Sequence, residues 1–277
     1  TLGRNKKSVE LDLKSEEGLK LFKELAEVAD VVVDNFSQGV TKRLGIDHQS
    51  LKEVNPKIIT CSISGFGDTE VNRPAYDNLI QGYAGAMSIT GSDKENPVKS
   101  GIPIADLGAG LYAVIGILSA IQSREKNDSG EHVDISMLDT QVSLLTYMAT
   151  MHFLSGENPE PIGNQHMNHV PFNSYRTSDG FIQIGVVAED FWPSLIEALD
   201  LRQLDTEENK TRIGRLKNRE SIDQAIQEVF ISNSTEHWLK ILQEHRVPCG
   251  PINTLSETFQ DADLLKRNMI VEVLQDS

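Results

Sequence analysis

The chain has 277 residues, 39% hydrophobic and 24% charged, with a formal net charge of -15. Ordinary globular proportions exclude disorder as the organising feature, and an acidic surface excludes partners such as nucleic acid, whose phosphate backbone it would repel. Cys61 and Cys249 lie far apart without CxxC spacing, which argues against a disulfide framework or zinc site and for a reducing, cytoplasmic setting.

No cleavable signal precedes Arg4, Lys6 and Lys7; a strand is expected almost at once, so the chain reads as opening inside a domain, with the natural protein extending beyond its ends. Residues 8–13 (SVELDL) alternate, with Val9, Leu11 and Leu13 on one face, and predict a half-buried strand ended by Lys14. Ser15 then caps a helix whose first turn carries Glu16 and Glu17 and whose Leu19, Phe22, Leu25 and Ala26 recur at helical spacing. A strand at 31–33 completes a βαβ unit, and open parallel sheets bind ligands at the carboxyl ends of their strands. Lys14 and Asn35 are expected at that edge.

A short helix through Arg43 stops at Gly45, another surrounds Leu51, and residues 57–63 read as a third parallel strand. Helices are expected over 76–87 and 107–123, then a strand at 132–135 and an apolar helix over 136–154. The stretch 107–121, with Gly108, Gly110 and Gly116, is shorter than the roughly 20 residues a bilayer needs and reads as a buried helix, with no membrane partner.

Residues 155–171 have little periodicity and mark a crossing between domains. Beyond it, SYRT, a TSDG turn containing Gly180 and FIQIGV predict a hairpin, followed by helices at 191–199, 222–229 and 237–245. RVPCGPIN reads as a rigid loop and 269–274 as a strand. The organisation predicted is a large α/β domain over 1–165, a small α+β domain over 166–255 and a return segment over 256–277.

GIPIAD places Asp106 after apolar Ile102, Pro103 and Ile104 at the start of a glycine-bearing helix. Two readings compete on spacing alone. Asp is a favoured N-cap; a partly desolvated carboxylate is also a better nucleophile, and Gly108 and Gly110 would let a substrate approach the backbone. Lys14 and Arg43, with the amides after Asn35, form a candidate phosphate site. His166 and His169 lack a third metal ligand, so no metal is expected. Asp134 and Asp139 read as polar positions near a strand-helix junction, and Cys249 as a buried small residue.

In this order, NKKSVELDLK, VVVDNFSQGVTKRLG, PAYDNLIQGYAGAMSITG, GIPIADLGAG and VPCGPINT resemble the class III CoA-transferase family, across nearly the whole chain. The resemblance implies a Rossmann-like large domain, an interlocked homodimer and a nucleophilic carboxylate at Asp106. It implies coenzyme A contacts at Leu11, Asp12, Leu13 and Lys14, at Asn35, Phe36 and Ser37, at Arg43, and at Pro74, Ala75, Tyr76 and Asp77. Its substrates are an acyl-CoA and a carboxylic acid, with no permanently bound cofactor. The related α-methylacyl-CoA racemases carry His where this chain has Tyr76, and a phenol is a poor base at neutral pH. That favours transfer over racemisation; a CoA-binding protein without chemistry is the third reading. Where formyl-CoA transferase has a glycine-rich loop, this chain has Gly163 alone.

Overall fold

Three short parallel strands organise the first part of the computed structural model, which describes residue 3, residues 5–69, residue 71 and residues 73–273. The chain divides into units of residues 1–161 and 162–277. In the first unit the order is α1 (Glu16–Val28), β1 (Val31–Asp34), α2 (Val40–Leu44), α3 (His48–Lys52), β2 (Ile59–Ser64), α4 (Asp77–Tyr83), α5 (Ile104–Asn127), β3 (His132–Ser136), α6 (Met137–Ser143) and α7 (Tyr147–Ser155). β2 is central: Val31 of β1 lies opposite Ile59, and Thr60 lies opposite His132 of β3, both pairings parallel.

Ser15 caps α1 as its sequence predicts, its Oγ accepting from Gly18 N–H at 3.0 Å. Ala26 then packs with Ile46, Leu51 and Ile58 in a buried cluster joined by Leu13, Leu19 and Phe22. A second cluster, Phe66, Ile80, Ala105, Ala109 and Met137, ties α4, α5 and α6 beneath the strand ends. This mixed α/β arrangement on a parallel sheet matches the fold class expected from the βαβ pattern.

Several expected elements differ. Residues 8–13 form no strand: Val9 is exposed and the segment joins no ladder, so alternation marked a face without supplying a hydrogen-bonding partner. Lys14 therefore sits in a turn before α1, not at a strand end. The helix expected over 76–87 breaks at Gly85, whose φ of +78° starts a separate 3-10 turn at Ala86–Ile89. The one expected over 136–154 breaks at Thr146, with φ 47°, into α6 and α7.

α5 is the largest correction. It runs 24 residues and is long and apolar enough to cross a membrane, and it is not a buried helix. Its small residues Ala105, Gly108, Ala109, Ala113 and Ala120 face inward, while Leu107, Leu111, Val114, Ile115 and Leu118 are exposed. Gly116 explains the close packing: a Cβ there would stand 2.6 Å from Val133 Cγ1 of β3.

The second unit contains β4 (Phe172–Arg176), β5 (Phe181–Gly185), α8 (Phe191–Leu199), α9 (Arg212–Lys217), α10 (Arg219–Phe230), α11 (Thr235–Glu244), β6 (Cys249–Pro251), α12 (Leu255–Gln260) and α13 (Ala262–Lys266). β4 and β5 form the expected hairpin, with Arg176 opposite Phe181. The RVPCGPIN segment is not a loop throughout, because its Cys249–Pro251 portion pairs antiparallel with β5. Pro251 is tolerated there because β6 is an edge strand. Residues 269–273 form no strand, and Leu274 lies outside the described residues.

Trp192, Leu195, Ile222, Ile226 and Phe230 fill one core against Ile182 and Ile184 of β5. At its edge Arg215 is only 2% exposed, and its guanidinium donates to the carbonyls of Val170, Asn209 and Lys210 and to Glu189 at 2.7 Å. Partial burial acts to raise the Glu189 carboxyl, but the hydrogen bond and charge of Arg215 outweigh it and hold the group below its usual range.

Candidate active site

Where β1 and β2 end, the chain must turn away from the sheet, and those turns open a cleft of about 550 Å³. Asn35 donates through Nδ2 to the Ile63 carbonyl, which fixes the segment after β1 beside the carboxyl end of β2. Gly65 lets the wall close: a Cβ there would fall 2.1 Å from Ala75 Cβ. The cleft is lined by Asn35, Phe36 and Ser37, by Pro74, Ala75, Tyr76 and Asp77, and by Asp106.

Asp106 is the third residue of α5, and Pro103 occupies the cap position, so the N-cap reading of Asp106 does not hold. The cap is supplied by Asp77, whose Oδ1 accepts from Ala105 N–H at 2.9 Å and Asp106 N–H at 3.5 Å. Its Oδ2 accepts from Gln81 Nε2 at 2.7 Å. Asp77 thus caps α5, whereas the Asp106 carboxylate accepts no hydrogen bond among the described residues. Partial burial, and then the negative charge of Asp77, raise the Asp106 carboxyl above the usual aspartate range. The result is an exposed but under-solvated carboxylate at the mouth of the cleft.

Tyr76 precedes α4 in extended conformation and is 69% exposed, so its ring faces the cleft and leaves the hydrophobic cluster beneath. The expected approach of a substrate to Gly108 is not available: that glycine is buried, and a Cβ would meet Thr140 Cγ2 of α6 at 3.0 Å. Its place is helix packing.

Leu11, Asp12, Leu13, Lys14 and Arg43 lie outside the cleft lining. Leu13 packs on the Ala26 cluster, and the Lys14 N–H donates to Asp12 Oδ1 at 3.0 Å. Neighbouring Lys42 lines a second cleft of about 430 Å³ that shares Phe36, Ser37, Gln38 and Ser64 with the first. The second cleft lies over a polar face of the sheet. There Thr60 Oγ1 bridges His48 Nδ1 at 2.9 Å and His132 Nδ1 at 2.8 Å, and Ser62 Oγ donates to Asp34 at 2.6 Å. Asp134 accepts from Asp68 N–H at 2.9 Å in the same lining. In the second unit the His166 and His169 rings are 4.8 Å apart, and His166 Nδ1 accepts from Asn168 N–H at 3.0 Å.

Sequence reasoning missed Arg73, which lines the cleft next to Pro74. Its guanidinium carbon lies 4.7 Å from the Phe66 ring centroid and 4.5 Å from that of Tyr83. An arginine directly before PAYDN was the available signal, but its two aromatic partners come from separate elements.

The model of CoA-transferase family III matches residues 1–277. The chain belongs to that family. Among family III relatives, it is 32% identical to a succinyl-CoA:glutarate CoA-transferase from Homo sapiens, covering 99% of this chain and 63% of the relative. It is 33% identical to a succinate–glutarate CoA-transferase from Agrobacterium fabrum, covering 98% of this chain and 68% of the relative. A CAIB/BAIF family protein from Brucella suis superposes with a TM-score of 0.88 at 35% identity, covering 95% of this chain and 71% of that structure. The chain therefore spans somewhat under two thirds of the human relative's length.

Proposed function

We propose that the protein moves coenzyme A from an acyl-CoA to a carboxylic acid, with Asp106 as covalent nucleophile. The observation that carries this reading is a carboxylate that accepts no hydrogen bond among the described residues, raised by partial burial and by Asp77, at the rim of a cleft beyond the carboxyl ends of parallel strands. Family membership and the CoA-transferase names of its relatives support it.

In the proposed reaction an Asp106 oxygen attacks the thioester carbonyl, the C–S bond breaks, and CoA leaves as thiolate from a mixed anhydride. The thiolate then attacks the Asp106 carbonyl and expels the first acid, leaving an aspartyl-CoA thioester. The acceptor carboxylate attacks that thioester, and the returning thiolate takes the new acyl group and frees Asp106. Coenzyme A is substrate, held in this reading by residues 11–14, 35–37, 43 and 74–77. The large unit would provide that binding, and residues 256–277 would form a return segment.

A homodimer, interlocked as the family resemblance implies, belongs to the same proposal. The exposed aliphatic stripe of α5 supports it, since a contiguous apolar face calls for cover.

The test is trapping. Incubation with an acyl-CoA and a panel of acids, followed by borohydride or hydroxylamine, is expected to modify Asp106, and Asp106→Asn is expected to lose at least about 10³-fold in kcat. Exchange of solvent deuterium into the acyl α-carbon without CoA transfer would overturn transfer in favour of racemisation.

A further inference from the structure

Charge balance in the cleft is unequal. Asp77 and Asp106 are anionic, and Arg73 is the one cationic side chain lining it among the described residues. Arg73 makes no ion pair or hydrogen bond among those residues, and lies instead against both the Phe66 and Tyr83 rings. Phe66 is 9% exposed and belongs to the buried cluster, so one of these two rings is anchored in the core. The rings sit edge to face, 5.6 Å apart. Stacking fixes the plane of a guanidinium while leaving its N–H edge free for a planar anion.

We propose that Arg73 binds the non-reacting carboxylate of a dicarboxylic substrate, and so selects diacids over monoacids of equal length. This rests on the transferase reading of the same cleft. The reacting carboxylate must approach Asp106 as a nucleophile, and pairing it with a guanidinium would lower its basicity. Binding a second carboxylate secures the substrate without that penalty. A monoacid would leave the guanidinium facing an apolar chain end, and a site built for a charge-assisted pair discriminates strongly against the analogue that lacks it.

The experiment uses the full chain, Arg73→Gln and Arg73→Lys, with diacids of three to six carbons and their monoacid counterparts. Direct binding is measured by calorimetry with free CoA present, and exchange by steady-state kinetics. In the wild type a diacid should bind at least about tenfold more tightly than its monoacid. Arg73→Gln should abolish that preference by raising the diacid KM about tenfold or more, with monoacid kinetics and acyl-CoA KM unchanged, and Arg73→Lys should restore part of it. Equal loss for both acids, the absence of any Arg73-dependent diacid binding, or a rise confined to the acyl-CoA KM overturns the proposal; the last would assign Arg73 to a CoA phosphate. Arg73-dependent diacid binding without CoA exchange would instead retain the anion site and sink the transferase reading.

Discussion

Asp77 and Asp106 show how two like carboxylates take different tasks when only one is given donors. The first accepts the free N–H groups that begin α5, and its charge then adds to partial burial in raising the second. A nucleophile works as the anion, so the acid limb of kcat/KM should lie above the ordinary aspartate range. Asp77→Asn keeps a cap oxygen but removes the charge. We expect that limb to move to lower pH, and Asp77→Ala to add a stability loss of about 1 kcal/mol from the missing cap. A pH-rate profile beside urea unfolding checks both; an unmoved limb in Asp77→Asn would show that the charge does not act on Asp106. Asp106 itself was legible because an acid after Ile102, Pro103 and Ile104 at a helix start is conspicuous. Its capping partner was not, since nothing in local spacing brings residue 77 to residue 105. Arg73 was illegible for the same reason, its meaning depending on rings 7 and 10 residues away in the chain.

At the scale of elements, α5 shows where hydrophobic patterning misleads. The run of apolar residues announced a helix, but its inner face is glycine and alanine and its outer face leucine, isoleucine and valine. Close packing decides this: Gly116 sits on Val133 and Gly108 on Thr140, so small residues must face the sheet and α6. Gly110, by contrast, has nothing within 4 Å of where a Cβ would stand. Gly110→Ala should therefore stabilise by about 0.5–1 kcal/mol through helix propensity, while Gly116→Val should destabilise by about 1–3 kcal/mol through overpacking. Denaturant midpoints separate them, and loss of activity in a stable Gly110→Ala would restore the reading in which a substrate passes over that glycine. Parallel strands at 31–34, 59–64 and 132–136 were legible because buried or half-buried β runs sit between capped helices. The short β6 was not, because prolines flanking Cys249 signal a loop when the neighbouring β5 is unseen.

For the molecule as a whole, the same inversion bears on assembly. Leu111 is 67% exposed, Ile115 59% and Leu118 60%, one helical turn apart on one side of α5. An aliphatic stripe of that kind in water is a cost unless something covers it, and the proposed homodimer provides cover on a face that is self-complementary by symmetry. A charge inserted at its centre would be buried without a partner, and twofold symmetry would present it twice. Ile115→Glu should therefore weaken the dimer by at least about 100-fold in Kd, while Ile115→Leu, similar in volume, should leave it intact. Sedimentation velocity across a concentration series reads the difference. If Ile115→Glu keeps the mass and affinity of the wild type, this face of α5 lies outside any interface between copies. If the wild type is itself monomeric at all concentrations, the dimer proposal fails while the chemistry proposed for Asp106 still stands on its own trapping test.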